Sequence, residues 1–84
     1  MIAIGIGSNL GNSLSIIERV MPCLERLARA ESFLSSSIWV TSPVDCPPGS
    51  PNFLNSVVLF ELQNALTPPE LMLELQHLEA KFGR

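Results

Sequence analysis

Isoleucines at positions 2, 4 and 6 alternate with Ala3, Gly5 and Gly7, so the chain predicts a first strand with one apolar face and one nearly bare face. Gly11-Asn12-Ser13 then reads as a turn into a helix. Its apolar positions Leu14, Ile17, Val20/Met21, Leu24 and Ala28 recur at helical spacing down to about Arg29. Pro22 falls inside this pattern; an interior proline costs roughly 3 kcal/mol and removes a backbone bond, so a kink or break is expected there. Phe33 to Thr41 ends in the β-branched and aromatic run Ile38-Trp39-Val40 and predicts a second strand, stopped by Ser42-Pro43. The connection from Pro43 to Pro51 is too long for a tight hairpin and too proline-rich to be a random coil. Phe53 to Leu62 predicts the third strand, with Leu54, Ser56, Val58, Phe60 and Leu62 on one face and Phe53, Asn55, Val57, Leu59 and Glu61 on the other. Thr67-Pro68-Pro69-Glu70 is a helix start with an N-cap hydroxyl, proline at the first helical position and a glutamate placed to close a capping box. Leu71, Leu75, Leu78 and Phe82 follow as its core stripe, with Gly83 as a C-cap.

The order β-α-β-β-α implies an α+β fold: a ferredoxin-like antiparallel sheet with helices on one face and the last strand of that plan missing. The missing strand would pair beside the first, so Ile2 to Ile6 should present an unpaired edge. The 84 residues read as one domain, 1–84, with a single core.

Composition narrows the function. Net charge is −3, and the five basic residues, Arg19, Arg26, Arg29, Lys81 and Arg84, form no stripe that could follow a phosphate backbone, which argues against nucleic acid. The longest apolar runs are strand-sized and nothing resembles a cleavable signal peptide, so neither a membrane span nor export is expected and the cytosol is the default location. Cys23 and Cys46 have no metal-ligand spacing and read as free thiols.

The residues that could carry chemistry fall into four stretches. Phe53 and Asn55 share one strand face about 7 Å apart, so a flat ring could lie on one and bond the other. The same pair could equally be a strand-end aromatic under the loop with an asparagine bonding loop backbone. Thr41-Ser42-Pro43-Val44 offers peptide groups held by a proline, suited to the edge of a purine-like or pterin-like ring, or it is only a strand terminator. Gly7-Ser8-Asn9-Leu10-Gly11 matches neither a Walker loop nor a dinucleotide fingerprint; it is either a cradle or a strand-to-helix turn built on a left-handed glycine. On the last helix Met72, Gln76 and Glu79 share one flank, and Glu74, His77 and Lys81 the other. The first flank could face a cleft; the second, with His77, reads as a solvated surface. Asp45 is the single aspartate, and no Ser-His-Asp order, paired aspartates or metal-spaced His/Cys cluster can be found.

In order and spacing, these segments resemble the N-terminal half of the 6-hydroxymethyl-7,8-dihydropterin pyrophosphokinase family. The likeness runs from Ile2 to Arg84. It rests on Gly7-Ser8-Asn9-Leu10-Gly11, Trp39-Val40-Thr41-Ser42-Pro43, Asn52-Phe53-Leu54-Asn55, Thr67-Pro68-Pro69-Glu70-Leu71 and the closing Leu78-Glu79 with Phe82-Gly83-Arg84. The resemblance implies that Ser42, Pro43 and Val44 supply loop backbone to a pterin, that Phe53 stacks on it, and that Asn55 bonds its edge, with Thr41 and Gly7 lining the same pocket. It also implies that Gln76 and Glu79 lie near ATP and that Arg84 is the first basic residue of a catalytic loop. ATP and Mg2+ are the co-substrate and cofactor it implies. The family's Asp-x-Asp metal pair and most of its ATP-binding Arg and His residues belong to a second half that this sequence does not contain.

Three expectations follow. The first is a folate-pathway pterin pyrophosphokinase, of which this chain holds mainly the pterin pocket and is inactive or nearly so alone, completed by a C-terminal half. The second is a non-catalytic pterin or small-molecule binding module that dimerises through the open sheet edge. The third is a bare structural domain of the same plan.

Overall fold

The computed structural model describes residues 1–9, 11–45 and 47–82. Leu10 of the Gly7–Gly11 turn, the Cys46 thiol, the expected Gly83 cap and the expected catalytic Arg84 lie outside the described residues. The elements are β1 (Ile2–Ser8), α1 (Ser13–Glu25), β2 (Leu34–Ser35), β3 (Trp39–Thr41), β4 (Phe53–Phe60) and α2 (Pro68–Lys81). All strand pairs are antiparallel. β4 is central, with β1 on one side and both β2 and β3 on the other. This is the α+β arrangement expected, and among the described residues β1 has no strand on its outer edge.

Period-two alternation along β4 sorts its side chains cleanly. Ser56, Val58 and Phe60 are fully buried under the helices, where Phe60 meets Phe33 at 6.0 Å between ring centroids. The core is completed by Ile16, Val20, Leu24 and Leu27 from α1 and its exit and by Leu71 from α2. On β1, Ile2, Ile4 and Ile6 pack against this core while Ala3 and Gly5 face out. The odd-numbered face of β4 has no helix over it, and Leu59 and Leu34 stand paired and exposed there.

Four local expectations are corrected. The first helix buries Ser13, Ile16, Ile17, Val20 and Leu24, whereas Leu14 is exposed. Where β1 ends and α1 begins, Ser8 and Ser13 share a buried hydroxyl contact of 3.0 Å; the N-cap Asn12 makes no side-chain cap bond. Pro22 neither breaks the helix nor stops it at once: α1 runs through it to Glu25 and ends there rather than at Arg29. Leu27 to Arg29 instead lie alongside Glu61 to Gln63, through Arg29 N–H to the Glu61 carbonyl (2.7 Å), Gln63 N–H to the Leu27 carbonyl (3.1 Å) and a bridge of Ala28 with Leu62. Leu62 is therefore a bridge residue outside β4, which stops at Phe60. Among the described residues the left-handed glycine is Gly49, at φ 86°, which closes a turn in which Ser50 N–H reaches the Pro47 carbonyl at 3.2 Å, and Pro48-Gly49 suits the central pair of a type II turn.

The fourth correction concerns the second strand, which is two segments rather than one. From Ser35 opposite Val58 to Trp39 opposite Asn55 the chain advances four residues while β4 retreats three. One residue is extra, the mark of a β-bulge. Ser36 holds it: its N–H donates to the Val57 carbonyl (2.8 Å), and its hydroxyl accepts the Val57 N–H (2.8 Å) and contacts Ser56 Oγ (3.1 Å). A side chain thus replaces the ladder carbonyl that the bulge displaces.

At α2 the capping box is present in full. Glu70 N–H reaches Thr67 Oγ1 at 3.4 Å, and Glu70 Oε1 accepts from Thr67 N–H (3.1 Å) and Thr67 Oγ1 (2.8 Å). Hydrogen bonds from the Thr67 side chain and backbone hold the Glu70 carboxyl below the ordinary glutamate value, against a small opposing effect of desolvation. A carboxyl lowered in the folded state stabilises the fold above its unfolded value and loses that contribution as pH falls through the folded one. Thr67→Ala should cost about 1 kcal/mol and lower Tm by roughly 4–8 °C. Acid titration of both proteins by circular dichroism should show wild type losing its advantage below the ordinary glutamate range; an advantage that grows on acidification would refute the box as its source. No helix among the described residues is long and apolar enough to cross a membrane.

Candidate functional site

The bulge decides which side chains of β3 share a face with Phe53 and Asn55. Because one residue is extra, Trp39 and Thr41 turn onto the same open face as Asn55 and Phe53, their partners across the ladder. Gly7 pairs with Asn55 from the other side. The end of the open face is therefore a small grid: Trp39, Asn55 and Gly7 in one row across three strands, Thr41 and Phe53 in the next. Phe53 and Asn55 are half-buried and Thr41 is exposed.

Asn55 sits at the corner, and all of its described bonds use the amide nitrogen. Nδ2 donates to Thr41 Oγ1 (3.0 Å), the Trp39 carbonyl (3.4 Å) and the Phe53 carbonyl (3.5 Å). Two of these acceptors belong to β3, so Oδ1 is the end of the carboxamide not tied to that strand. The other neighbour in the row, Gly7, adds no side chain. The side chains of these two rows are therefore those of Trp39, Asn55, Thr41 and Phe53, with bare backbone at Gly7. Ser42, half-buried Pro43, Val44 and Asp45 lead away from Thr41 as the loop, and Asp45 takes a left-handed φ of 55°. Gly7, Trp39, Thr41, Ser42, Pro43, Val44, Phe53 and Asn55 include no charged side chain. An uncharged corner with a fixed hydrogen-bonding amide and an aromatic face suits a neutral planar heterocycle better than a phosphate.

Gln76 and Glu79 are placed elsewhere. Both are exposed on α2, which lies over the helix-covered face. Glu79 lines a groove of about 190 Å³ between the free edge of β1, α1 and α2, walled by Ile4, Ile6, Val20, Leu75, Leu78 and Phe82. Gln76 is not part of that lining. Gly7 alone belongs to both regions, at the end of an edge strand that borders the open face and the groove. At the end of α2, Arg19 and Lys81 stand over the Phe82 ring at 5.3 and 5.6 Å. His77 is exposed, as its flank suggested. Cys23 is a free thiol that accepts from Arg26 Nη2 at 3.2 Å. Among the described residues no group of three or more His, Cys, Asp or Glu could hold a metal ion.

Trp39 and Ser36 are the participants that sequence reasoning did not select. The serine run 35–37 interrupts the apolar pattern just where the parity of the strand changes, and that interruption is the only signal that could have found them.

An antiparallel sheet open on one face, with both helices on the other, defines an α+β domain of ferredoxin-like plan. Within that class, the family described as 7,8-dihydro-6-hydroxymethylpterin-pyrophosphokinase matches residues 3–84. The chain belongs to this family. A 2-amino-4-hydroxy-6-hydroxymethyldihydropteridine pyrophosphokinase of Synechocystis is 36% identical over 81 residues, covering 96% of this chain and 40% of the relative. One from Haemophilus influenzae is 28% identical over 81 residues, covering 96% and 49%. A folate synthesis bifunctional protein of Chlamydia caviae is 32% identical over 88 residues, covering 99% and 19%. The chain thus spans less than half the length of each of these relatives.

Proposed function

We propose that this chain is the pterin-holding portion of a pterin pyrophosphokinase of folate biosynthesis in the cytosol. The observation that supports this best is the row Trp39–Asn55–Gly7 with Phe53 and Thr41 beside it, in a chain whose relatives bear the name of that enzyme. In this reading the bicyclic ring of 6-hydroxymethyl-7,8-dihydropterin stacks on Phe53. Asn55 Oδ1 accepts a ring N–H, while the amide nitrogen stays tied to Thr41 and Trp39 and keeps the carboxamide from rotating. Ser42, Pro43 and Val44 present backbone groups to the ring edge, and Gly7 leaves room for the ring.

The reaction proposed for the whole enzyme joins the hydroxymethyl oxygen to the β-phosphorus of ATP. The bond from that phosphorus to the α,β-bridging oxygen breaks, AMP leaves with the bonding electrons, and the hydroxyl proton is released. Such a transfer needs cations on the polyphosphate. Among the described residues no group of three or more His, Cys, Asp or Glu could hold a metal ion, and the contribution proposed for residues 1–84 is to bind and orient the pterin. Gln76 and Glu79 are the residues proposed to approach ATP, and Arg84 the first basic residue to act on it. The 84-residue polypeptide should therefore bind pterin without measurable turnover.

Calorimetric titration of 6-hydroxymethyl-7,8-dihydropterin into the protein, with and without Mg2+ and a non-hydrolysable ATP analogue, tests this. Pterin binding indifferent to the nucleotide is the expected result. Absence of pterin binding would refute the reading, and binding strengthened by nucleotide would show that the ATP site is present after all. One observation favours a second reading, a pterin-binding module that pairs with a copy of itself: the outer edge of β1 has no strand against it among the described residues. A dimer in sedimentation, with pterin bound and no turnover when the protein is supplemented with longer relatives' C-terminal halves, would favour it.

A further inference from the structure

We propose that Trp39 is a further substrate-contacting residue, the second wall of the pterin corner, and that it makes the site select a fused two-ring heterocycle over a single ring. This rests on the pterin reading above. Trp39 is directly opposite Asn55, and the bulge at Ser36 puts both on the open face. Trp39 is 44% exposed, a large aromatic residue with part of its apolar surface left in water. Its carbonyl accepts from Asn55 Nδ2, so the backbone of this residue also helps to orient the amide.

Phe53 and Trp39 are diagonal neighbours in the grid, about 7–8 Å apart at the backbone. Asn55 occupies the corner between them and glycine lies beyond. A ligand that touches both aromatics while reaching Asn55 must bridge that diagonal; a fused bicycle does so and one six-membered ring does not. Val40, next along β3, pairs with Leu54 and points to the opposite face, which provides an internal control on the same strand.

The test is calorimetric titration of wild type, Trp39→Phe, Trp39→Ala and Val40→Ala with 6-hydroxymethyl-7,8-dihydropterin and with the monocyclic 2-amino-4-hydroxypyrimidine, each variant checked for fold by circular dichroism. Trp39→Ala should weaken pterin binding about tenfold, Trp39→Phe should restore most of it, and Val40→Ala should leave it unchanged. The monocycle, which does not reach Trp39, should bind wild type and Trp39→Ala alike. Equal pterin affinity in wild type and Trp39→Ala overturns the assignment while leaving the pterin reading intact. Equal weakening by Trp39→Ala and Val40→Ala, or equal weakening of both ligands by Trp39→Ala, overturns it too, since either marks a general loss of β3. Failure of wild type to bind the pterin removes the reading and this inference together. Trp39 is the single tryptophan of the chain, so its indole N–H resonance in wild type gives a separate readout that should shift with the bicycle and not with the monocycle.

Discussion

Replacing Phe60 by alanine should lower Tm on the order of 20 °C and leave a large fraction of the chain unfolded at 37 °C. Phe60 is wholly shielded from solvent, sits on the central strand of the sheet and meets the Phe33 ring at 6.0 Å with a tilt of 32°. Truncating a buried phenylalanine costs about 3–5 kcal/mol, the transfer of the ring plus the cavity left behind. A domain of this size has roughly 4–13 kcal/mol of stability in all, so the loss is a large share of the total. Leu71 of α2 belongs to the same buried cluster, with Leu75, Leu78 and Phe82 packed partly buried against it. Urea unfolding followed by circular dichroism measures the effect. A midpoint close to wild type would mean that the core is centred elsewhere.

The second large effect belongs to binding. Phe53→Ala should weaken the pterin at least tenfold, because it removes the stacking face and its apolar area together. Asn55→Asp should be worse still, although it changes no volume. The acid has no N–H to give, so its two oxygens would face Thr41 Oγ1, the Trp39 carbonyl and the Phe53 carbonyl, where the amide nitrogen now donates. Thr41 Oγ1 could turn its hydroxyl to donate, but at the two carbonyls acceptor would meet acceptor, and a negative charge would enter an uncharged corner. Titration calorimetry should show no measurable pterin binding by Asn55→Asp, with the helical circular dichroism signal retained, since neither helix touches this face. Unchanged affinity in both variants would leave the fold as a scaffold only and dispose of the pterin corner.

Much of this was legible from local rules. The alternation in Phe53–Phe60 is so regular that the buried trio Ser56, Val58 and Phe60 and the outward pair Phe53 and Asn55 follow from period two alone. Thr67-Pro68-Pro69-Glu70 announced its capping box, since every partner lies within one turn. By contrast, helical spacing in α1 was ambiguous between adjacent stripes, and packing in the core buries the one containing Ile16 while Leu14 stays exposed.

The amino-acid pattern by itself determined the strand and helix order, the apolar faces of β1 and β4 and the pairing of a phenylalanine with an asparagine two residues on, because these depend on backbone period and on interactions within a few residues. Tertiary structure alone decided that Thr41 and Trp39 join them. Unbroken alternation from Phe33 would have put Trp39 and Thr41 on the core side with Phe33, facing away from Asn55. The extra residue at Ser36, held by a serine hydroxyl that takes the place of a ladder carbonyl on Val57, inverts that parity. A bulge is a contest between two strands for the same hydrogen bonds, and its outcome depends on a partner strand some twenty residues away. The same dependence separates the open-face corner from the Glu79 groove: the faces on which these residues lie are set by how the helices cover the sheet.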